Sequence, residues 1–272
     1  MPAPTPRALS SRSRALAACG AAVATLLAVA ALAPLPFSVA QPGITANVLG
    51  EYEGEPVITV SGAGDTGDPD PGADGGPKGK LLATTIAATA PDTDVRLADV
   101  VRSWLDTDRA VMPRDAVYPV GDDVDEIEEY TTEQMVESQE MAVTAALRQL
   151  DMSRDEVEVD LRLEDVGGPS AGLVFALGVI DEIDDGDLTG GMTIAGTGTI
   201  DGRGEVGPVG GVPLKTQAAA RDGATVFLVP EAECEAARVG LPDGLRLVPV
   251  TTLGNALRSL RALRDDGYVP SC

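Results

Sequence analysis

Between Ala15 and Ala33 the chain runs through nineteen residues interrupted only by Gly20 and Thr25. As a helix this stretch is about 28 Å long, close to the roughly 30 Å hydrocarbon core of a bilayer. Arg7, Arg12 and Arg14 precede it, and Glu51 and Glu53 follow. The positive-inside rule then keeps the N-terminus cytoplasmic and sends everything after Pro34 outside. Three readings fit the segment. It is a retained single-pass anchor, a cleaved signal peptide with Ser38-Val39-Ala40 as the small-x-small site, or a lipidation signal at Cys19 after Leu16-Ala17-Ala18. The run exceeds the roughly 7–15 residues of a signal-peptide core, which favours the anchor. All three readings place the bulk of the chain beyond the cytoplasm.

The 272 residues suffice for an anchor and one substantial domain, or two small ones. We expect an anchor over 1–40, an exported N-terminal segment over 41–120 and a folded domain over 121–272. A hydrophobic fraction of 44% supports a packed core. A net charge of -23 and an aromatic content of 3% argue against nucleic acid as a partner. Residues 61–79, rich in Gly, Pro and Asp, read as a mobile loop, and their oxygens do not fall at calcium-loop spacing.

Residues 41–60 look extended, with a strand over Val57–Val60. Strands are expected at Lys80–Ala90, Val157–Leu163, Met192–Ile200, Ala224–Val229 and Leu245–Val250. Helices are expected at Leu97–Leu105, Asp122–Leu150, Leu173–Ile183, Pro213–Asp222, Glu231–Val239 and Leu253–Leu263. The stretch from Leu173 is apolar on every side, so it should be buried. Mixed strands and helices of this kind predict an α+β domain: a mixed sheet with packed helices, preceded by one transmembrane helix.

The chain has no histidine, which removes the usual general base and the commonest metal ligand. Gly168-Pro169-Ser170-Ala171-Gly172 fits the G-x-S-x-G nucleophile elbow, but that mechanism needs a histidine. Ser170 sits before a buried helix, where free N–H groups and the dipole can stabilise an oxyanion. A helix N-cap is the plain alternative, and the motif alone leaves both open. An amine can replace histidine as base if burial lowers its pKa. The chain has three lysines, Lys78, Lys80 and Lys215, of which only Lys215 lies in the C-terminal region. A lone lysine is ordinarily a solvated charge. Here apolar and uncharged neighbours surround it in sequence, and a Ser170–Lys215 dyad is the leading reading. Gly202-Arg203-Gly204-Glu205-Val206-Gly207 matches G-x-G-x-x-G, but Pro208 follows where a helix should open. The sequence has no P-loop, so no ATPase module is expected, and neither is a metal or cofactor.

These residues resemble the proteolytic domain of Lon-type proteases. The nucleophile motif ending at Gly172 is similar, as are Thr197-Gly198, Gly204, Val206, Pro208-Val209-Gly210-Gly211 and Lys215, which lies 45 positions after Ser170. Met135-Val136-Glu137-Ser138 resembles the family's upstream helix, and the likeness covers roughly residues 130–260. Pro42-Gly43, Trp104-Leu105-Asp106, Val117-Tyr118-Pro119 and Ala195–Asp201 look like the membrane-anchored bacterial branch, which lacks the ATPase and usually carries a PDZ domain. The PDZ domain would fall between Leu150 and Val157, where only Asp151–Glu156 lie. The resemblance implies a serine endopeptidase acting on polypeptides, with Ser170 as nucleophile and Lys215 as base. It further implies that Thr197 supports the dyad, and that backbone at Gly168, Pro169 and Ser170 forms the oxyanion hole. A homo-oligomeric ring is also implied. The rival is a silent exported binding or scaffold protein that keeps the fold.

Cys19 lies in the apolar run, leaving Cys234 and Cys272 as the pair in the exported part. Exported thiols tend to oxidise, so a disulfide between them is expected.

Overall fold

The computed structural model describes residues 11–62, 79–120, 124–163, 169–184 and 188–272. The expected loop over 61–79 lies, apart from its ends, outside them.

The chain opens with α1 (Ser11–Leu32), 22 residues that touch the rest of the protein little and bury none of their side chains. Its length and hydropathy suffice to cross a membrane. Then come β1 (Phe37–Asn47), the hairpin β2 (Glu51–Tyr52) and β3 (Glu55–Pro56), β4 (Ile58–Ser61) and β5 (Lys80–Ala88). The helix α2 (Leu97–Leu105) leads to β6 (Ala110–Pro113), the short α3 (Arg114–Val117) and the long α4 (Val124–Gln149). After β7 (Glu158–Leu161), a 3-10 turn at Pro169–Ala171 runs into α5 (Gly172–Ile183). Next follow β8 (Thr193–Gly196), β9 (Thr199–Ile200), β10 (Val206–Gly207), α6 (Val212–Arg221) and β11 (Val226–Pro230). The chain closes with a second 3-10 turn (Glu231–Glu233), α7 (Cys234–Ala237), β12 (Arg246–Val250) and α8 (Leu253–Arg264).

A six-stranded mixed sheet in the order β12-β11-β8-β5-β1-β6 organises the molecule. Its first four strands are parallel neighbours, while β1 pairs antiparallel with β5 and β6. Strands from either side of residue 120 therefore share one sheet. Side chains alternate between its faces, as the pleat requires. Leu81, Ile194, Val226, Leu228 and Val248 pack with α4, α5 and α8 on one side. Leu82, Ala195, Phe227, Val229 and Leu247 pack with α6 and α7 on the other.

The expected helix over Leu173–Ile183 forms α5 and is buried from Leu173 to Ile180, while its last turn reaches the surface at Glu182. The expected strands at 57–60 and 157–163 form β4 and β7, which pair with each other. The expected strand over 192–200 is broken at Thr197-Gly198, and the break lies beside Ser170.

Two features lie near the chain's outer ends. Phe37–Ala40 form the whole pairing of β1 with β6, and Ser38 and Ala40 are buried. Cleavage after Ala40 would strip β6 of its partner strand. At the other end Cys234 and Cys272 form a disulfide with Cα atoms 5.4 Å apart. Val269 is buried, and its carbonyl accepts from Arg246 Nη2 at 2.7 Å.

Candidate active site

Ser170 lies in the middle of the 3-10 turn that precedes α5, and it is half-buried. The N-cap of α5 is Ala171, without a side-chain capping bond. The capping reading of Ser170 thus falls away, and the hydroxyl is not committed to ending the helix. The turn is fixed from two sides. Ser138 on α4 donates from Oγ to the Pro169 carbonyl at 3.1 Å. The Gly198 N–H donates to the Ser170 carbonyl at 2.8 Å, and the Leu173 N–H returns a bond to the Gly198 carbonyl at 3.0 Å. At Gly172 a Cβ would come within 2.9 Å of Ser138 Oγ and 3.0 Å of Ile200 Cγ2, so only glycine lets α5 start this close to α4 and β9.

Lys215 comes from the opposite side of the site, in the first turn of α6. Gly211 caps that helix in the left-handed region with φ 69, and Pro213 stands within its first turn. A Cβ at Gly211 would meet Ile86 Cγ2 at 2.8 Å, so this glycine seats the helix start on β5. With α6 packed across β1 and β5, the Lys215 side chain points inward and is 3% exposed. Burial lowers its pKa from the ordinary 10.5 to about 8.

Thr197, fully buried at the break between β8 and β9, joins the two sides. Its Oγ1 donates to the Ser170 carbonyl at 3.1 Å and accepts from Lys215 Nζ at 3.1 Å. A hydroxyl has one hydrogen, and here it is committed to Ser170. Thr197 can therefore only accept from the amine, and it leaves the amine's lone pair unoccupied. Among the described residues no hydrogen bond joins the Ser170 hydroxyl directly to the amine.

Of the expected oxyanion-hole residues, Gly168 lies outside the described residues. Pro169 has no N–H and cannot donate, so its contribution is limited to shaping the turn. Among the described residues no group of three or more Cys, Asp or Glu side chains is placed to hold a metal ion.

Sequence reasoning assigned no role to Ser138, which supports the turn that carries Ser170. A signal was present: Met135, Ser138, Ala142 and Ala145 fall on the buried stripe of α4. A serine in such a stripe needs a partner.

Residues 130–260 match the family model of the Lon protease (S16) C-terminal proteolytic domain. The matched region, just under half of the chain, is similar to the Lon proteolytic domain. A Lon protease of Clostridioides difficile (strain 630) is 44% identical over 79 residues, or 29% of this chain and 10% of that relative. The matched stretch thus spans about a tenth of the relative's length. The matched region holds Ser170, Thr197 and Lys215 with most of α4, whereas β1 and β5, across which α6 packs, lie before it.

Proposed function

We propose that the protein is a serine endopeptidase with Ser170 as nucleophile and Lys215 as general base, requiring no ATP. The observation that carries this reading is a buried lysine, its pKa lowered to about 8, held through Thr197 against the backbone of a half-buried serine in a Lon-type fold.

The neutral amine accepts the Ser170 Oγ–H proton as Oγ adds to the scissile carbonyl carbon. The resulting ammonium passes that proton to the leaving amine as the C–N bond breaks, giving an acyl-Ser170. Water then attacks the ester with Lys215 again as base, and the acid product leaves. Backbone N–H groups around Ser170 bind the oxyanion. At pH 7 about one molecule in ten carries the neutral base, enough for turnover without histidine.

The cellular setting belongs to the same proposal. α1 serves as a retained anchor with its N-terminus cytoplasmic and the peptidase domain outside. Arg7, Arg12 and Arg14, ahead of the apolar run from Ala15, support the orientation, and the structural role of Phe37–Ala40 supports retention. Substrates are unfolded or loosely structured polypeptides, in keeping with a reaction that requires no ATP. Assembly into a homo-oligomeric ring is part of this proposal by family likeness.

The test is peptidase activity of the purified full chain with Ser170→Ala and Lys215→Arg. Each should lose at least about 10²-fold in activity while keeping the fold. Near wild-type turnover in Lys215→Arg would sink the mechanism, because a guanidinium does not deprotonate near neutral pH.

A further inference from the structure

The helix α2 packs the wrong way round for a soluble domain. Leu97, Val101, Trp104 and Leu105 form one stripe at helical spacing, yet they are 42%, 46%, 84% and 84% exposed. The side chain that α2 buries is a polar one, Ser103. An apolar stripe facing outward on a nine-residue helix calls for something to cover it.

Its position says what. The Leu35 N–H donates to the Val95 carbonyl at 2.8 Å, joining the residues just after α1 to those just before α2. α1 and α2 are in direct contact. Wherever α1 leaves a membrane, α2 begins a few ångströms from that point. Arg96 and Arg102 flank the stripe and are exposed, placed for lipid phosphates at the rim. An indole at the boundary of water and acyl chains is among the most favoured placements of tryptophan.

We infer that α2 is a membrane-surface helix whose Leu97–Val101–Trp104–Leu105 stripe rests in the headgroup–acyl boundary of the bilayer that α1 enters. The inference rests on the reading of α1 as a retained span, though not on which side the domain lies. It also bears on the peptidase. Gln217 on α6 donates from Nε2 to the Thr107 carbonyl at 3.2 Å, just after α2. Seating α2 on the bilayer therefore fixes the Lys215 helix close to the membrane surface. Polypeptides lying at that surface are then the substrates presented to the site.

Trp104 is the sole tryptophan, so its fluorescence reports on this stripe alone. The full chain is reconstituted into phosphatidylcholine vesicles, and flotation reads the anchor separately. Protein that floats should show blue-shifted Trp104 emission. Lipids brominated near the headgroup should quench it more strongly than lipids brominated at the chain ends. Leu97→Asp combined with Val101→Asp should still float, lose the quenching and keep activity on an unfolded polypeptide. If the wild type floats but its emission stays that of a water-exposed indole, the inference is overturned while the anchor stands. Blue-shifted emission without bromine quenching, together with self-association on cross-linking, makes the stripe an interface between copies and also overturns it. Failure to float removes both readings.

Discussion

Lys215 Nζ stands 3.1 Å from Thr197 Oγ1, and the single proton of that hydroxyl is already given to the Ser170 carbonyl. Thr197 therefore holds the amine in place as an acceptor only, which leaves its lone pair free. In the proposed mechanism it is a positioning residue. Thr197→Val keeps the shape but removes both bonds, and kcat should fall on the order of 10²-fold. Losing an acceptor that favours the ammonium should also move the acid limb of the pH profile to lower pH. Thr197→Ser should restore both. An unchanged midpoint and kcat in Thr197→Val would show that the hydroxyl is only structural.

The pH dependence of the reaction follows from the same amine. A lysine base as proposed is active when neutral, so kcat/KM should rise with pH through about 8, the value set by burial of Lys215. Initial-rate profiles across that region check it. A flat profile with chemistry shown to be limiting would remove Lys215 as the base.

Stability should run in the same direction. The folded pKa lies near 8 and the ordinary value at 10.5. Between them the unfolded chain holds a proton that the folded chain has released, so stability rises with pH across that window. Below it, the buried ammonium costs roughly 3 kcal/mol. Lys215→Met discards that charge at similar volume and leaves Thr197 bonded to Ser170. Its Tm at neutral pH should rise on the order of 5–10 °C, and the alkaline rise in stability should disappear. A lower Tm in Lys215→Met would mean that the amine is paired rather than merely buried.

Much of this arrangement is legible in sequence, and for identifiable reasons. The all-apolar run from Leu173, the glycine-Pro entrance to α6 and the alternation in β7 are local patterns, and local patterns survive folding. The sheet order is not local. Nothing in residues 37–47 announces that they lie between β5 and β6, and a boundary near residue 120 hides strands that join across it. The break of the expected 192–200 strand was equally invisible. It comes from the bonds that Gly198 exchanges with Ser170 and Leu173, made with a segment more than twenty residues upstream. α2 was readable as a helix, but which face it would turn outward depended on where α1 and β6 put it.

The N-terminal boundary gives another prediction. β6 pairs with Phe37–Ala40, and Ala40 has no exposed surface. Protein purified from membranes should therefore retain α1, and intact-mass measurement should find no species beginning at Gln41. An active, stable form starting at Gln41 would show that the β1–β6 pairing is dispensable and that the anchor is removed.

The last prediction concerns the C-terminal tie. Cys234 opens α7 and Cys272 is the final residue, separated by 38 positions and packed against the cluster formed by α6, β11 and β12. Closing a loop of that size should contribute about 3–4 kcal/mol through the unfolded state. The tail has other holds, namely buried Val269 and the Arg246 bond to its carbonyl, so reduction should not release it fully. Ser170, Thr197 and Lys215 draw on neither cysteine. Reduction, or Cys234→Ser with Cys272→Ser, should thus lower Tm on the order of 10 °C while changing kcat little at moderate temperature. Peptide mapping without reductant, followed by melting and rate measurements with it, separates the two effects. A large loss of kcat well below the melting transition would show that the tie shapes the site as well as stabilising the fold.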